Sequence, residues 1–360
     1  MNEAVAIAAQ ARVPALLWGA PGTGKTSYIL AVGHALRVPV EVVIASIREP
    51  ADFAGLPVIR EAGVVMEPPA WARRLAQAGK GILFLDEVST APPAVQAALL
   101  RVVLDRAVGD LILPDSVAVV AAANPPEQAA GGWDLSAPLA NRFCHLQWVL
   151  DPQEWVEGML QGWPDPVIPV LPDNWEAGIP ASRALVASFI RARPHLLLQV
   201  PRSEEQAGKA WPSPRTWDMA ARLLAAATAA GVGEDIVAFL ITGCVGEGAG
   251  LEFLAWRRDL DLPDPEAILA APGQFRLSGR GDRDFAILTA VVSAAVRNLD
   301  RGRWLAAWEV LSRAAEQGGR DVAAVAARSL AIAKRQDLPL PVKELREFLP
   351  LLQKAGGVVE

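Results

Sequence analysis

Gly19-Ala20-Pro21-Gly22-Thr23-Gly24-Lys25-Thr26 fits the pattern G-x-x-x-x-G-K-[ST]. Glycines at these positions let backbone N–H groups wrap a polyphosphate at a helix N-terminus. Lys25 would then reach the β- and γ-phosphates of ATP, and the Thr26 hydroxyl would ligate Mg²⁺. Ser27, the next residue, is grouped with the phosphate loop. A second constellation is Asp86-Glu87, which closes the apolar run Ile82-Leu83-Phe84-Leu85. Asp86 would hold the Mg²⁺ shell and Glu87 would polarise an attacking water. One acid suffices for the metal, so the second suggests hydrolysis. Asn124 ends another apolar run and could orient that water; before Pro125-Pro126 it also reads as a turn residue, and both readings stay open. Arg142 and Arg215 could stabilise charge developing in phosphoryl transfer. Any single arginine more often reads as a solvated surface residue.

These groups need elements to hold them. Ala15 to Trp18 reads as a buried strand and Lys25 to Leu36 as a helix, the order a phosphate loop requires. Further strand-like runs are Val40 to Ala45, Gly81 to Leu85, Val117 to Ala123 and His145 to Leu150, with helical patterns such as Pro92 to Asp105 between them. Alternating strands and helices predict an α/β fold, a parallel sheet covered by helices on both faces. Asp86, Glu87 and Asn124 then fall on the C-terminal edge of the sheet, where such folds bind ligands. Beyond Leu150 the strand signal fades. Asp151-Pro152 starts a helix, Trp163 to Pro180 is an extended proline-rich stretch, and Ser213-Pro214 starts another helix with Trp217, Ala220, Ala221 and Leu224 on one face. From about Asp282 four more helices are expected, broken near Leu299-Asp300, Gly318-Gly319 and Leu338-Pro339.

Composition limits the alternatives. The chain has 360 residues and a formal net charge of −6, and its mean hydropathy is +0.25. The longest apolar helical run, Phe285 to Val296, falls short of the roughly 18 residues of a membrane span. Met1-Asn2-Glu3 lacks the basic start of a secretory leader. Cys144 and Cys244 have no metal-type spacing, and a reduced, cytoplasmic setting is expected. His34, His145 and His195 read as ordinary structural residues. No Lys/Arg run forms a stripe, which counts against a dedicated nucleic-acid binder without excluding one. The 12 tryptophans are read mainly as core and inter-domain packing.

Taken in order, the phosphate loop, Asp86-Glu87, Asn124, Arg142-Phe143 and Ser213-Pro214-Arg215 resemble the AAA+ ATPases, and within them the MoxR-type branch. Asp52 to Gly55 with Val58 to Met66 looks like that branch's hairpin in helix 2. Arg106 to Leu113 looks like its hairpin before sensor 1. The resemblance implies an arginine finger at Arg142, sensor 1 at Asn124 and sensor 2 at Arg215. It further implies an α/β nucleotide-binding core (residues 1–150), an all-α lid (151–280), a helical C-terminal extension (281–360), and assembly as a ring, a hexamer being expected. ATP would sit between subunits, and a protein client would be remodelled with a partner bearing a von Willebrand A domain. The family usually has Asp-Arg-Phe where this chain has Asn141-Arg142-Phe143. Residues 280–360 match no pattern of the branch. Two other classes compete: a nucleic-acid-dependent AAA+ motor and a monomeric small-molecule kinase. The acidic balance favours a protein client over nucleic acid, and Glu87 beside Asp86 favours hydrolysis over a kinase.

Overall fold

Runs of small and β-branched apolar residues build the centre of the molecule. In the computed structural model, which describes residues 2–61, 63–125, 133–339, 341 and 348, they form one parallel sheet. Helix α1 (Asn2–Gln10) leads into β1 (Ala15–Trp18), the phosphate loop and α2 (Lys25–Leu36). Then come β2 (Val40–Ile44), α3 (Ala51–Ala54), the hairpin β3 (Leu56–Arg60) and β4 (Gly63–Glu67), α4 (Ala70–Ala78) and β5 (Gly81–Asp86). Helix α5 (Pro93–Asp105), the short hairpin β6 (Ala107–Val108) and β7 (Leu111–Ile112), β8 (Val117–Ala123), α6 (Ala137–Ala140) and β9 (Cys144–Gln147) complete the α/β part. The sheet order is β2-β5-β8-β1-β9, parallel throughout. All residues of β8 are buried, as a central parallel strand with covered faces requires. Leu16, Leu83, Leu85, Val119 and Ala121 share one core with residues of α4 and α5. Alternate residues such as Leu17, Phe84 and Val120 are buried on the opposite face, and α1 and α2 also pack on the sheet.

The rest is helical: α7 (Pro152–Gln161), α8 (Ile179–Ala192), α9 (Glu204–Ala207), α10 (Pro214–Ala230), α11 (Glu234–Val245), α12 (Glu247–Asp259), α13 (Pro265–Ala270), α14 (Gly281–Arg297), α15 (Arg301–Ala314) and α16 (Arg320–Ile332). The chain divides into two compact units, Met1–Leu171 with Leu197–Leu251, and Pro172–Leu196 with Glu252–Glu360. The sequence boundaries at 150 and 280 fall inside these units. In the first unit, α10 and α11 pack with α1, and α11 also packs on β9. At Gly243 the approach is so close that a Cβ would lie 2.5 Å from the His145 carbonyl oxygen. In the second unit Trp304 and Trp308 meet edge to face at 5.8 Å inside a core shared with α14 and α16. The expected break at Gly318-Gly319 is a π-turn, Ala315–Gly319, with Gly318 at φ 91. Of the fourth helix expected beyond Leu338-Pro339, all but Pro341 and Phe348 lies outside the described residues.

The two hairpins are joined at their bases. A Cβ on Gly55 would lie 2.8 Å from the Gly109 Cα, and one on Gly109 would lie 2.3 Å from the Met66 carbonyl oxygen. Gly109 N–H donates to the Phe53 carbonyl and Asp110 N–H to the Met66 carbonyl, while Met66 N–H donates to the Asp110 carboxylate. The tip of the first hairpin is bare, with Ile59 and Val64 86% and 67% exposed. Ala62 of its turn lies outside the described residues.

His145 on β9 is a buried, neutral imidazole. Its Nδ1 accepts from the Trp18 indole at 2.9 Å, and its Nε2–H donates to the Ala140 carbonyl at 2.9 Å. A second proton would find no acceptor, and burial pushes the group from 6.5 down to about 4. Because the folded value is the lower one, this stabilisation is complete above about pH 6.5 and is lost as pH falls through about 4. It amounts to roughly 3 kcal/mol. Thermal unfolding followed from pH 7 to pH 4 should therefore show a steeper loss of stability in the wild type than in His145→Asn. Parallel curves would refute this.

Candidate nucleotide-hydrolysis site

The C-terminal edge of the sheet gathers most of the expected residues. Gly22 and Gly24 take φ of 74 and 87, which side chains disfavour, and so turn the loop back over the start of α2. Gly24 caps α2 without any side-chain bond, leaving the first-turn N–H groups to an anion. The loop is braced from two sides. Thr23 Oγ1 donates to the Ala20 carbonyl at 2.7 Å, and the Trp148 indole donates to the Thr23 carbonyl at 3.1 Å. Gly19 lies against Trp148, whose carbonyl oxygen would be 2.7 Å from any Cβ there. Ala20 is half-buried, and Pro21 and Ser27 are exposed at the loop's mouth.

Lys25 is buried, and its ammonium donates to the carbonyls of Gly19 at 2.7 Å and Ala20 at 2.9 Å. Burial pushes it below the usual lysine range, and nearby Asp86 offsets part of that shift. The same ammonium lies 3.4 Å from Asn124 Oδ1, which joins the end of β8 to the loop. Thr26 Oγ1 donates to Asp86 Oδ2 at 2.8 Å. A hydroxyl and a carboxylate converging beside an anion-binding loop are a hard-oxygen donor set that could hold Mg²⁺. Asp86 Oδ1 accepts the Glu87 N–H at 2.9 Å. Glu87 itself takes φ 58, an uncommon backbone for a residue with a side chain. Its carboxylate accepts the hydroxyl of Ser46, which follows β2.

Arg142 and Arg215 sit elsewhere. β9 pairs with β1 from Ala15↔Cys144 to Trp18↔Gln147, so Arg142 precedes the strand's N-terminal end while the phosphate loop follows β1's C-terminal end. The four residues of β9 alone separate the edges by about 10 Å. A γ-phosphate would lie beyond that again. Arg142 and Arg215 are near each other: burial first, then the Arg215 charge, pushes the Arg142 guanidinium below the usual range, with Asp105 opposing. Asn141 fixes this pairing. Its Oδ1 accepts the Ser213 hydroxyl at 2.8 Å, and its Nδ2 donates to the Trp211 carbonyl at 3.3 Å. An aspartate could not make the second bond, which explains the departure from Asp-Arg-Phe. Ser213 and Thr216 complete a capping box, so the start of α10 that carries Arg215 is firmly set.

Three residues at the edge escaped the sequence reading. Ser46 holds Glu87. Trp148 braces the loop. Ser89 bonds the Asn124 backbone through both its N–H and its carbonyl. None lies in a motif; only the apolar run ending near Trp148 hinted at its place.

A phosphate loop on a parallel sheet, with an acidic strand end beside it, defines a P-loop nucleotide hydrolase. Residues 14–143 match the profile of the AAA domain, dynein-related subfamily. The chain is thus an ATP-hydrolysing P-loop enzyme with an AAA domain over residues 14–143. Among solved structures, a candidate ATPase from Cytophaga hutchinsonii aligns at 18% identity and TM-score 0.44, over 67% of this chain and 80% of that one. A full-length MCM homologue from Methanopyrus kandleri aligns at 16% identity and TM-score 0.37, over 67% of this chain and 55% of that one. No curated protein matches the sequence significantly. Among the described residues no helix is long and apolar enough to cross a membrane.

Proposed function

We propose that the chain is a ring-forming AAA+ ATPase of the MoxR type that spends ATP hydrolysis on remodelling a protein client. The observation that carries this reading is the separation of the site into two edges. Phosphate loop, Asp86, Glu87 and Asn124 lie together, while Arg142 and Arg215 lie together at the opposite edge, out of reach of them. A second copy placed edge to edge completes the set. Lys25 then holds the β- and γ-phosphates; Thr26 and Asp86 would hold Mg²⁺, which when bound would neutralise phosphate charge. Glu87 takes a proton from the attacking water, which Asn124 helps orient. Arg142 and Arg215 of the neighbouring copy stabilise the developing charge. A closed ring, six-membered in the MoxR reading, and a partner with a von Willebrand A domain belong to the same proposal, as does a cytoplasmic setting.

The hairpin tip favours a protein client over nucleic acid. Ile59 and Val64 are exposed and apolar. Arg60, the cation there, is paired with Glu67 at 3.2 Å, and Arg73 holds the same glutamate at 2.7 Å. Phosphate backbones are instead met by unpaired cations. Replacing Ile59 to Val64 with Gly-Ser should leave basal ATPase and assembly intact and abolish stimulation by the client. Single-stranded DNA and RNA should not stimulate the wild type. Loss of assembly in the replacement, or stimulation by either nucleic acid, would overturn the client reading.

A further inference from the structure

Past Trp148 the chain leaves the sheet and does not pack again for some distance. The Trp148 ring lies 5.0 Å from Tyr28 on α2, and further on Asp165 meets His34 near the other end of α2 at 2.6 Å. Between these two ties runs α7. Of its residues only Gly158 is buried, under the Trp163 ring. Trp155, Val156, Met159, Leu160 and Trp163 are 45%, 48%, 61%, 79% and 64% exposed. Trp155, Val156, Met159 and Leu160 fall at i, i+1, i+4 and i+5 and make one stripe on α7, and Trp163, past the helix end, folds its ring back over Gly158. A helix of 10 residues is marginal alone in water and normally owes its stability to burying such a stripe. Scattered exposed apolar residues need no explanation, but a contiguous set on one helix marks an interaction surface.

Charge decides among the occupants. From Val149 to Val170 the segment carries Asp151, Glu154, Glu157 and Asp165 and no lysine or arginine. An acidic helix is repelled by anionic lipid and by nucleic acid, whose binders are basic. A surface of opposite character is present on the chain itself. Asn141, beside Arg142, accepts the hydroxyl of Ser213, two residues before Arg215, so the two arginines stand together there, and Leu104 is 50% exposed.

We infer that the apolar stripe of α7 is covered by the arginine-bearing edge of a second copy of this chain. The inference rests on the ring reading above and deepens it. Trp148 ties the start of the α7 segment to the phosphate loop, so the copy that brings Arg142 towards that loop also brings Leu104 and the arginines towards α7. The helix is a dock whose filling accompanies completion of the site.

The test uses the full chain with ATP and Mg²⁺. Met159→Lys combined with Leu160→Lys places two cations in the stripe, which the arginine edge would repel, at positions largely exposed in the isolated chain. Self-association, measured by mass photometry across a concentration series, should weaken by about tenfold or more. Binding of a fluorescent ATP analogue and the thermal midpoint of the unassembled chain should match the wild type. Met159→Gln with Leu160→Gln should give a smaller weakening in the same direction. Assembly of the lysine variant at wild-type concentrations would overturn the dock and leave the ring reading standing. A wild type that stays monomeric under these conditions would overturn both.

Discussion

Glu87→Gln should bind ATP as the wild type does and turn it over about 10²–10⁴-fold more slowly, the range associated with loss of a general base. The substitution keeps the side chain's size and its ability to accept the Ser46 hydroxyl. It leaves untouched the Thr26–Asp86 pair and the Lys25 contacts with the loop carbonyls. Only the capacity to take a proton is removed. Lys25→Ala is the contrasting variant. Its ammonium is buried among loop carbonyls, so its loss should weaken ATP binding itself. Titration with a fluorescent ATP analogue, paired with single-turnover hydrolysis, separates the two effects. Near wild-type turnover in Glu87→Gln would remove Glu87 from the mechanism.

Loss of Arg142 should cost as much or more. A trans arginine in phosphoryl transfer is worth about 10³ or more in rate, so Arg142→Ala should be nearly inactive with ATP affinity little changed. The decisive measurement is complementation. Lys25→Ala subunits have an empty phosphate loop but an intact arginine edge, and Arg142→Ala subunits have the reverse. Mixed after demonstrated subunit exchange, the two should recover part of the lost activity, because one kind of junction joins an intact loop to an intact arginine. No recovery would mean that Arg142 acts within its own subunit or not at all. Arg215→Ala should follow Arg142→Ala in this assay, since Asn141 and Ser213 lock the two arginines to one edge.

Most of the α/β core could be read from the chain. Val117 to Ala123 is a strand at the limits expected, because seven consecutive small or β-branched residues suit a strand buried on both faces. Ser213-Pro214 starts a helix because its capping chemistry is local. What escaped is what depends on distant neighbours. Ser46 reaches Glu87 only because β2 and β5 lie side by side. That Pro172–Leu196 packs with the second unit rather than with the residues before it is set by contacts between α8 and α14, far apart in sequence. From sequence the tryptophans read mainly as core and inter-domain packing. Trp304 and Trp308 are core, but Trp133, Trp155 and Trp163 are largely exposed. An apolar stripe reveals that a helix has a side to cover and is silent on what covers it.

The joint between the two hairpins has a consequence for how this chain can be varied. Its contacts are backbone against backbone, at Gly55, Gly109 and Met66, so nearly any side chain added at either glycine would force the hairpins apart. The tip obeys no such restriction: its residues face solvent, and the β3–β4 register from Leu56↔Glu67 to Arg60↔Gly63 depends on pairing rather than on what the tip carries. Lengthening the hairpin by two residues in each strand would keep that pairing and its alternation and leave the base untouched. Under the proposed function the hairpin is a handle with an exchangeable blade, and new client preferences would be written at the tip without disturbing the glycine joint at its base.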